Sequence, residues 1–153
     1  KAVELGVAEI VPVVTKRTIV KADEGKSEKK LSRWQAIAES AAKQSGRGII
    51  PNVAPICTWK EALAQMKNIE YNTVLYENAK GMGPTAEFVK AVPKKQSIGI
   101  FVGPEGGFTE EEVAQVVAQG AECLSLGKRI LRTETAGLAM LSMLMLEIEC
   151  NEE

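Results

Sequence analysis

Apolar positions along this chain keep two rhythms. Short apolar runs bounded by turn formers occur at 8–14 (AEIVPVV), 49–56 (IIPNVAPI), 73–76 (TVLY), 97–102 (SIGIFV) and 122–126 (ECLSL), and these read as strands or extended pieces. Pro12 inside the first run points to an edge position or a bulge. Between the runs the apolar period lengthens to that of a helix. Trp34, Ile37, Ala38, Ala41 and Ala42 form one stripe, and Trp59, Ala62, Leu63 and Met66 a second. Residues 84–92 place Phe88 and Val92 inward, and 110–119 form a helix closed by Gly120. Three Ser/Thr-x-x-Glu/Gln patterns, at Ser32, Thr58 and Thr109, predict capping boxes. Strands alternating with helices predict an α/β fold with a mostly parallel sheet and helices on both faces.

The punctuation is equally informative. Residues 1–6 read as a helix tail stopped by Gly6, and their abrupt start leads us to expect a longer natural chain. Residues 22–30 (ADEGKSEKK) lack apolar side chains and read as a mobile loop. The last helix, 133–149, carries Leu138, Leu141, Leu144, Leu146 and Ile148 together with methionines, so more than one of its faces needs cover. A homodimer interface is the economical cover, and burial within one subunit is the alternative.

With 153 residues and 45% apolar content, the chain makes one domain with a sizeable core. Three cysteines without Cys-x-x-Cys spacing, in a sequence with no histidine, leave no typical zinc site. We expect no metal, and we expect buried thiols in a reducing cytosol. Lacking histidine, the chain must rest any chemistry on carboxylates, lysines, arginines or main chain. No run is long and apolar enough for a bilayer, so the expected protein is soluble and cytoplasmic. Net charge is −1, but residues 1–47 hold ten Lys and Arg against six Asp and Glu. A modest basic face there competes with a solvated surface of mixed charge.

Candidate chemistry concentrates in two stretches that each follow a predicted strand. The first is GPEGGF at 103–108, where glycines let main chain come close to a ligand or take positive φ, and Pro104 stiffens the path. The three acids at 110–112 argue against a phosphate, and neither nucleotide-loop pattern is present, so the ligand is neutral or cationic. A tight strand-to-helix turn without a ligand is the plain alternative. The second stretch, GKRILRTETA at 127–136, packs two arginines and a glutamate among small residues. That density of charge favours a site.

Together the two stretches resemble the SPOUT class of S-adenosylmethionine-dependent RNA methyltransferases, and within it the RsmE family, which methylates N3 of a uridine in small-subunit (16S) ribosomal RNA. The resemblance extends to KAVELGV at 1–7, TKRTIVK at 15–21 and RWQAIAESAAKQSGR at 33–47, and so covers nearly the whole chain. It implies a C-terminal trefoil knot, a homodimer through the last helix and a PUA-like RNA-binding domain upstream of this SPOUT domain. It also implies a donor site formed by Leu75, Glu77, Gly103, Pro104, Gly106, Leu126, Gly127, Ile130 and Leu131.

The resemblance further implies RNA contacts from Arg17, Arg33, Gln44 and Arg47, and catalytic parts for Arg132, Glu134 and Arg47, the last supplied by the same chain or by the partner subunit of a dimer. Lys16 stands where the family often has an acid before the arginine, which puts an acid–arginine pair at that corner in doubt. Plain readings compete at several positions: Arg47 as a cap on helix carbonyls, Glu134 as a first-turn acid, Trp59 as core rather than a base platform. Two other functions fit the class, a SPOUT enzyme of different specificity such as transfer-RNA ribose 2′-O-methylation, and a non-catalytic RNA or nucleotide-binding module.

Overall fold

The computed structural model describes residues 1–18 and 24–151. Every strand pairing in it is parallel. The first apolar run forms two short strands, β1 (Glu9–Ile10) and β2 (Val13–Val14), that run beside β3 (Asn52–Val53) and β4 (Cys57–Thr58). Pro12 falls in the break between β1 and β2, where its carbonyl accepts from the Cys57 N–H at 3.0 Å. The interruption expected of a strand proline is therefore what the ribbon contains. The main sheet has the order β6-β5-β7, with β5 (Tyr71–Leu75) between β6 (Ile98–Phe101) and β7 (Glu122–Leu124).

Helices cover both faces of that sheet, as the alternation predicted. Strand periodicity sends Val74 to one side and Leu75 to the other. Val74 packs with Met66 of α2 (Trp59–Met66), with Val113 and Val116 of α4 (Glu110–Ala118), and with Phe108. Leu75 packs with Phe88 of α3 (Gly83–Ala91), with Val92 of the 3-10 turn Val92–Lys94, and with Met140 and Leu144 of α5 (Thr133–Cys150). The boxes at Thr58 and Thr109 both form, each with the reciprocal bonds to Glu61 or Glu112. At the foot of the sheet Asn72 is buried and donates to the carbonyls of Met66 and Ile69.

The first helix departs from its prediction. It spans Glu24–Gln44 as α1 (the sequence reading began it at Ser32), so the stretch taken as a loop is helical from Glu24, while Ala22 and Asp23 lie outside the described residues. Ser32 is consequently interior and caps nothing. Gln35, its expected box partner, instead donates to the Pro51 carbonyl at 3.0 Å and accepts from the Val53 N–H at 2.8 Å. It serves β3 as a neighbouring strand would. Trp34, Ala38, Ala41 and Ala42 pack against Val3 and Val53, but Ile37 lies at the edge of the stripe and is 55% exposed. Residues 1–6 close one turn that ends at Gly6 with φ +93°. The thiol expectation holds for Cys57, which is buried, and fails for Cys150, which is exposed near the end of α5.

Candidate functional site

Three segments leave the carboxyl ends of β5, β6 and β7 on the same side of the sheet, the position where parallel α/β sheets bind ligands. Together they enclose a cavity of about 590 Å³. This lies within the roughly 300–1,000 Å³ of small-molecule sites. Its walls are residues 75–77, 102–105, 107–108 and 125–134, with Ala136.

The segment after β6 is a tight turn in which the Gly107 N–H donates to the Pro104 carbonyl at 2.8 Å. Gly107 has φ +69°, a conformation that disfavours any side chain, and a Cβ at Gly103 would sit 3.1 Å from the Phe108 nitrogen. Phe108 then turns into the core against Trp59, 5.4 Å away between ring centroids. Trp59 is thus half-buried against the core, as the plain reading expected in part, and its indole N–H donates to Gln115.

A second brace comes from the corner after β2. The Lys16 N–H donates to Glu112 Oε1 at 2.9 Å, while Thr109 N–H and hydroxyl donate to Oε2. Burial pushes the Glu112 carboxyl up, but these hydrogen bonds and the nearby Lys16 charge outweigh it and hold the group below the usual carboxylate range. The Lys16 ammonium pairs with Glu111, and the Arg17 guanidinium donates to the Gly106 carbonyl at 2.9 Å. The acid–arginine pair in doubt at this corner is replaced by an arginine–main-chain contact.

All the predicted donor-site residues line the cavity except Gly106, which faces away: a Cβ there would meet Arg17 Cβ at 3.2 Å. Sequence reasoning assigned Gly106 with its neighbours because all three glycines permit close approach, but only the folded turn decides which way each faces. Arg132 and Glu134 also line the cavity and are brought together with the donor-site residues. Arg47 is not. Its guanidinium donates to the carbonyls of Val3, Val7 and Gly6, so it ties down the N-terminal turn rather than α1's own end. Arg33 and Gln44 are exposed on α1.

The sequence reading missed Tyr76, Val102 and Ser125 as wall residues. Tyr76 lies between two residues that were chosen, so contiguity was the available signal. Charge in the walls is balanced, with Glu77, Glu105 and Glu134 against Lys128, Arg129 and Arg132. A ligand that carries both charges suits such a wall better than a polyphosphate. Among the described residues no group of His, Cys, Asp and Glu could hold a metal ion, and no helix is long and apolar enough to cross a membrane.

A parallel α/β sheet with a cavity at the carboxyl ends of its strands, walled in part by a glycine turn, defines a small-ligand-binding α/β domain. The RNA methyltransferase domain family matches residues 1–145, and the chain belongs to that family. It is 39% identical to the ribosomal RNA small subunit methyltransferase E of Bacillus subtilis over 97% of this chain and 59% of that protein. The crystal structure of the Neisseria gonorrhoeae protein of the same name, bound to S-adenosyl methionine, matches with TM-score 0.81 and 40% identity, over 95% of this chain and 57% of that one. A Legionella pneumophila protein solved in complex with the same cofactor matches at 0.84 and 33%, over 95% of this chain and 57% of that one. The chain thus spans a little under 60% of the length of each of these relatives.

Proposed function

We propose that this chain is the catalytic domain of an S-adenosylmethionine-dependent methyltransferase that modifies N3 of a uridine in small-subunit ribosomal RNA. The observation that carries the reading is the single cavity in which the glycine turn, the loop after β5 and the segment 125–132 meet Arg132 and Glu134. The donor, when bound, supplies an electrophilic methyl on its sulfonium, so the chain needs no nucleophile of its own. That agrees with a sequence lacking histidine.

What remains for the protein is binding and the acceptor. Main chain at Gly103 and Gly107 and around Leu126 and Gly127 holds the adenosyl part, with Leu75, Ile130 and Leu131 giving apolar contact. The Glu77 carboxylate stands beside Gly107, with Oε1 3.7 Å from where a Cβ on that glycine would be. It presents negative charge to a cationic ligand. Uracil N3 carries an imide proton; as that proton leaves, negative charge spreads over N3, O2 and O4, and it would be discharged when N3 takes the methyl and the donor's carbon–sulfur bond breaks to leave a neutral thioether. Arg132 meets that charge with its planar, multiply donating guanidinium, and Glu134, in the first turn of α5, receives or orients the proton. Arg47, occupied with three carbonyls, is assigned no catalytic part.

In the same reading residues 125–132 and α5 make up the C-terminal knot of the SPOUT class, and α5 pairs two copies. Leu146, 66% exposed on that helix, supports the pairing. Exposed Arg17, Arg33 and Gln44 are the RNA-side candidates. The test is calorimetric titration with S-adenosylmethionine, followed by labelled-methyl transfer to small ribosomal subunits lacking the modification. Donor binding with transfer to one uridine is expected; absence of donor binding removes the reading.

A further inference from the structure

Residues 125–131 form a whole wall of the cavity without belonging to a strand or a helix. Main chain of this kind must be held by something other than a ladder, because its polar groups and its shape are otherwise left to water. Among the described residues, only one group outside the segment hydrogen-bonds it. The Thr85 hydroxyl, in the first turn of α3, donates to the Ser125 carbonyl at 2.6 Å across 40 positions of sequence.

Both ends of that bond are out of solvent, with Thr85 1% and Ser125 5% exposed. A carbonyl so placed has no water to fall back on, so its geometry is set by its partner. Ser125 passes the constraint on, since its own hydroxyl accepts from the Gly127 N–H at 3.2 Å. Gly127 is where the chain turns, with φ +107°, and the Met82 sulfur lies 3.9 Å from the place a Cβ on Gly127 would take. The start of α3 therefore acts as a peg for a wall to which it contributes no lining side chain.

We propose that Thr85 is a positioning residue of the donor pocket. Its hydroxyl, through the Ser125 carbonyl, fixes the bend at Gly127 and thereby the wall formed by Leu126, Ile130 and Leu131. The effect on donor affinity rests on the donor-site reading above; the anchoring of the bend does not.

Thr85→Val keeps the side-chain shape and removes the hydroxyl, and Thr85→Ser keeps the hydroxyl and removes the methyl. Two measurements separate the outcomes: amide hydrogen exchange of the ligand-free protein over 125–131, and calorimetric affinity for S-adenosylmethionine. Thr85→Val should speed exchange in 125–131 while leaving α3 protected, and should weaken donor binding by about tenfold. Thr85→Ser should stay within about threefold of the parent. Unchanged exchange or unchanged affinity in Thr85→Val overturns the proposal, as does a serine variant as impaired as the valine one, because packing would then be the cause. If the unaltered protein takes up no donor, the donor-site reading fails separately. Exchange alone then decides the anchor, faster exchange upholding it and unchanged exchange overturning it.

Discussion

The guanidinium of Arg17 and the carbonyl of Gly106 meet at 2.9 Å, so the corner after β2 grips the glycine turn after β6 across 89 positions of sequence. The contact is on the outer side of the turn, opposite the cavity. Arg17→Ala should therefore loosen the turn and weaken S-adenosylmethionine binding by about threefold to tenfold. Calorimetry reads this directly. Unaltered donor affinity in Arg17→Ala would leave the arginine free for RNA alone.

Glu112 sits at the node of the same brace. Its folded pKa is depressed below the ordinary glutamate value of about 4.3, so its contribution is fully present above that value and is lost as pH falls through the folded one. Glu112→Gln should cost about 1 to 3 kcal/mol at neutral pH, through donors left imperfectly met. The difference from the parent should shrink as pH falls below the ordinary glutamate value and through the depressed folded one. Urea unfolding across that range checks it, and a penalty independent of pH would show that charge is not what Glu112 contributes.

Gly99 is required by its neighbour on β5. A Cβ there would stand 2.3 Å from Asn72 Oδ1, a buried oxygen with no hydrogen-bond partner. The asparagine cannot swing away without releasing Met66 and Ile69. Gly99→Ala should destabilise by about 2 to 4 kcal/mol. In an Asn72→Ala background the same change should cost much less, a coupling that a double-mutant cycle measures.

For the proposed chemistry, Arg132 offers the sharpest separation of binding from turnover. Arg132→Ala should keep donor affinity within about tenfold, or 1.4 kcal/mol, and abolish methyl transfer in a single-turnover assay. Transfer at the parent rate would remove Arg132 from the mechanism.

The apolar surface of α5 makes a claim about assembly. Leu146→Lys places a charge on a side chain that is 66% exposed in the single chain, so it should leave the unfolding midpoint of a monomer nearly unchanged. Sedimentation should nevertheless shift from dimer to monomer. A parent protein that sediments as a monomer at all concentrations would rule out the pairing.

Much of this molecule is written in local pattern. Strand runs, helix stripes and the boxes at Thr58 and Thr109 depend on residues within one turn or one pleat of each other, so the alternation, the parallel α/β layout and the exits after Tyr76, Val102 and Leu126 could be read in order. Much of the cavity's lining was legible for the same reason, since residues 103–105 and 126–134 belong to the two charged or glycine-bearing stretches that follow predicted strands.

Long-range partnership was not legible, because nothing in a residue's neighbours states what will lie across from it in space. Gln35 matched a capping pattern and went to β3 instead. Arg47 was placed near the chemistry by resemblance and lies on the carbonyls of residues 3, 6 and 7. Gly106 shares the permissiveness of its neighbours, yet the turn faces it toward Arg17, and the Thr85 hydroxyl found Ser125 only once α3 was laid against the sheet. By itself the sequence determined most of the strands and helices, though not where α1 begins, and which turns are free of side chains that would block close approach, since local sterics and periodic burial settle those. Only the tertiary structure decided which polar groups brace the cavity and which face it, because a hydrogen bond between distant positions exists only after packing has brought its two ends within 3 Å.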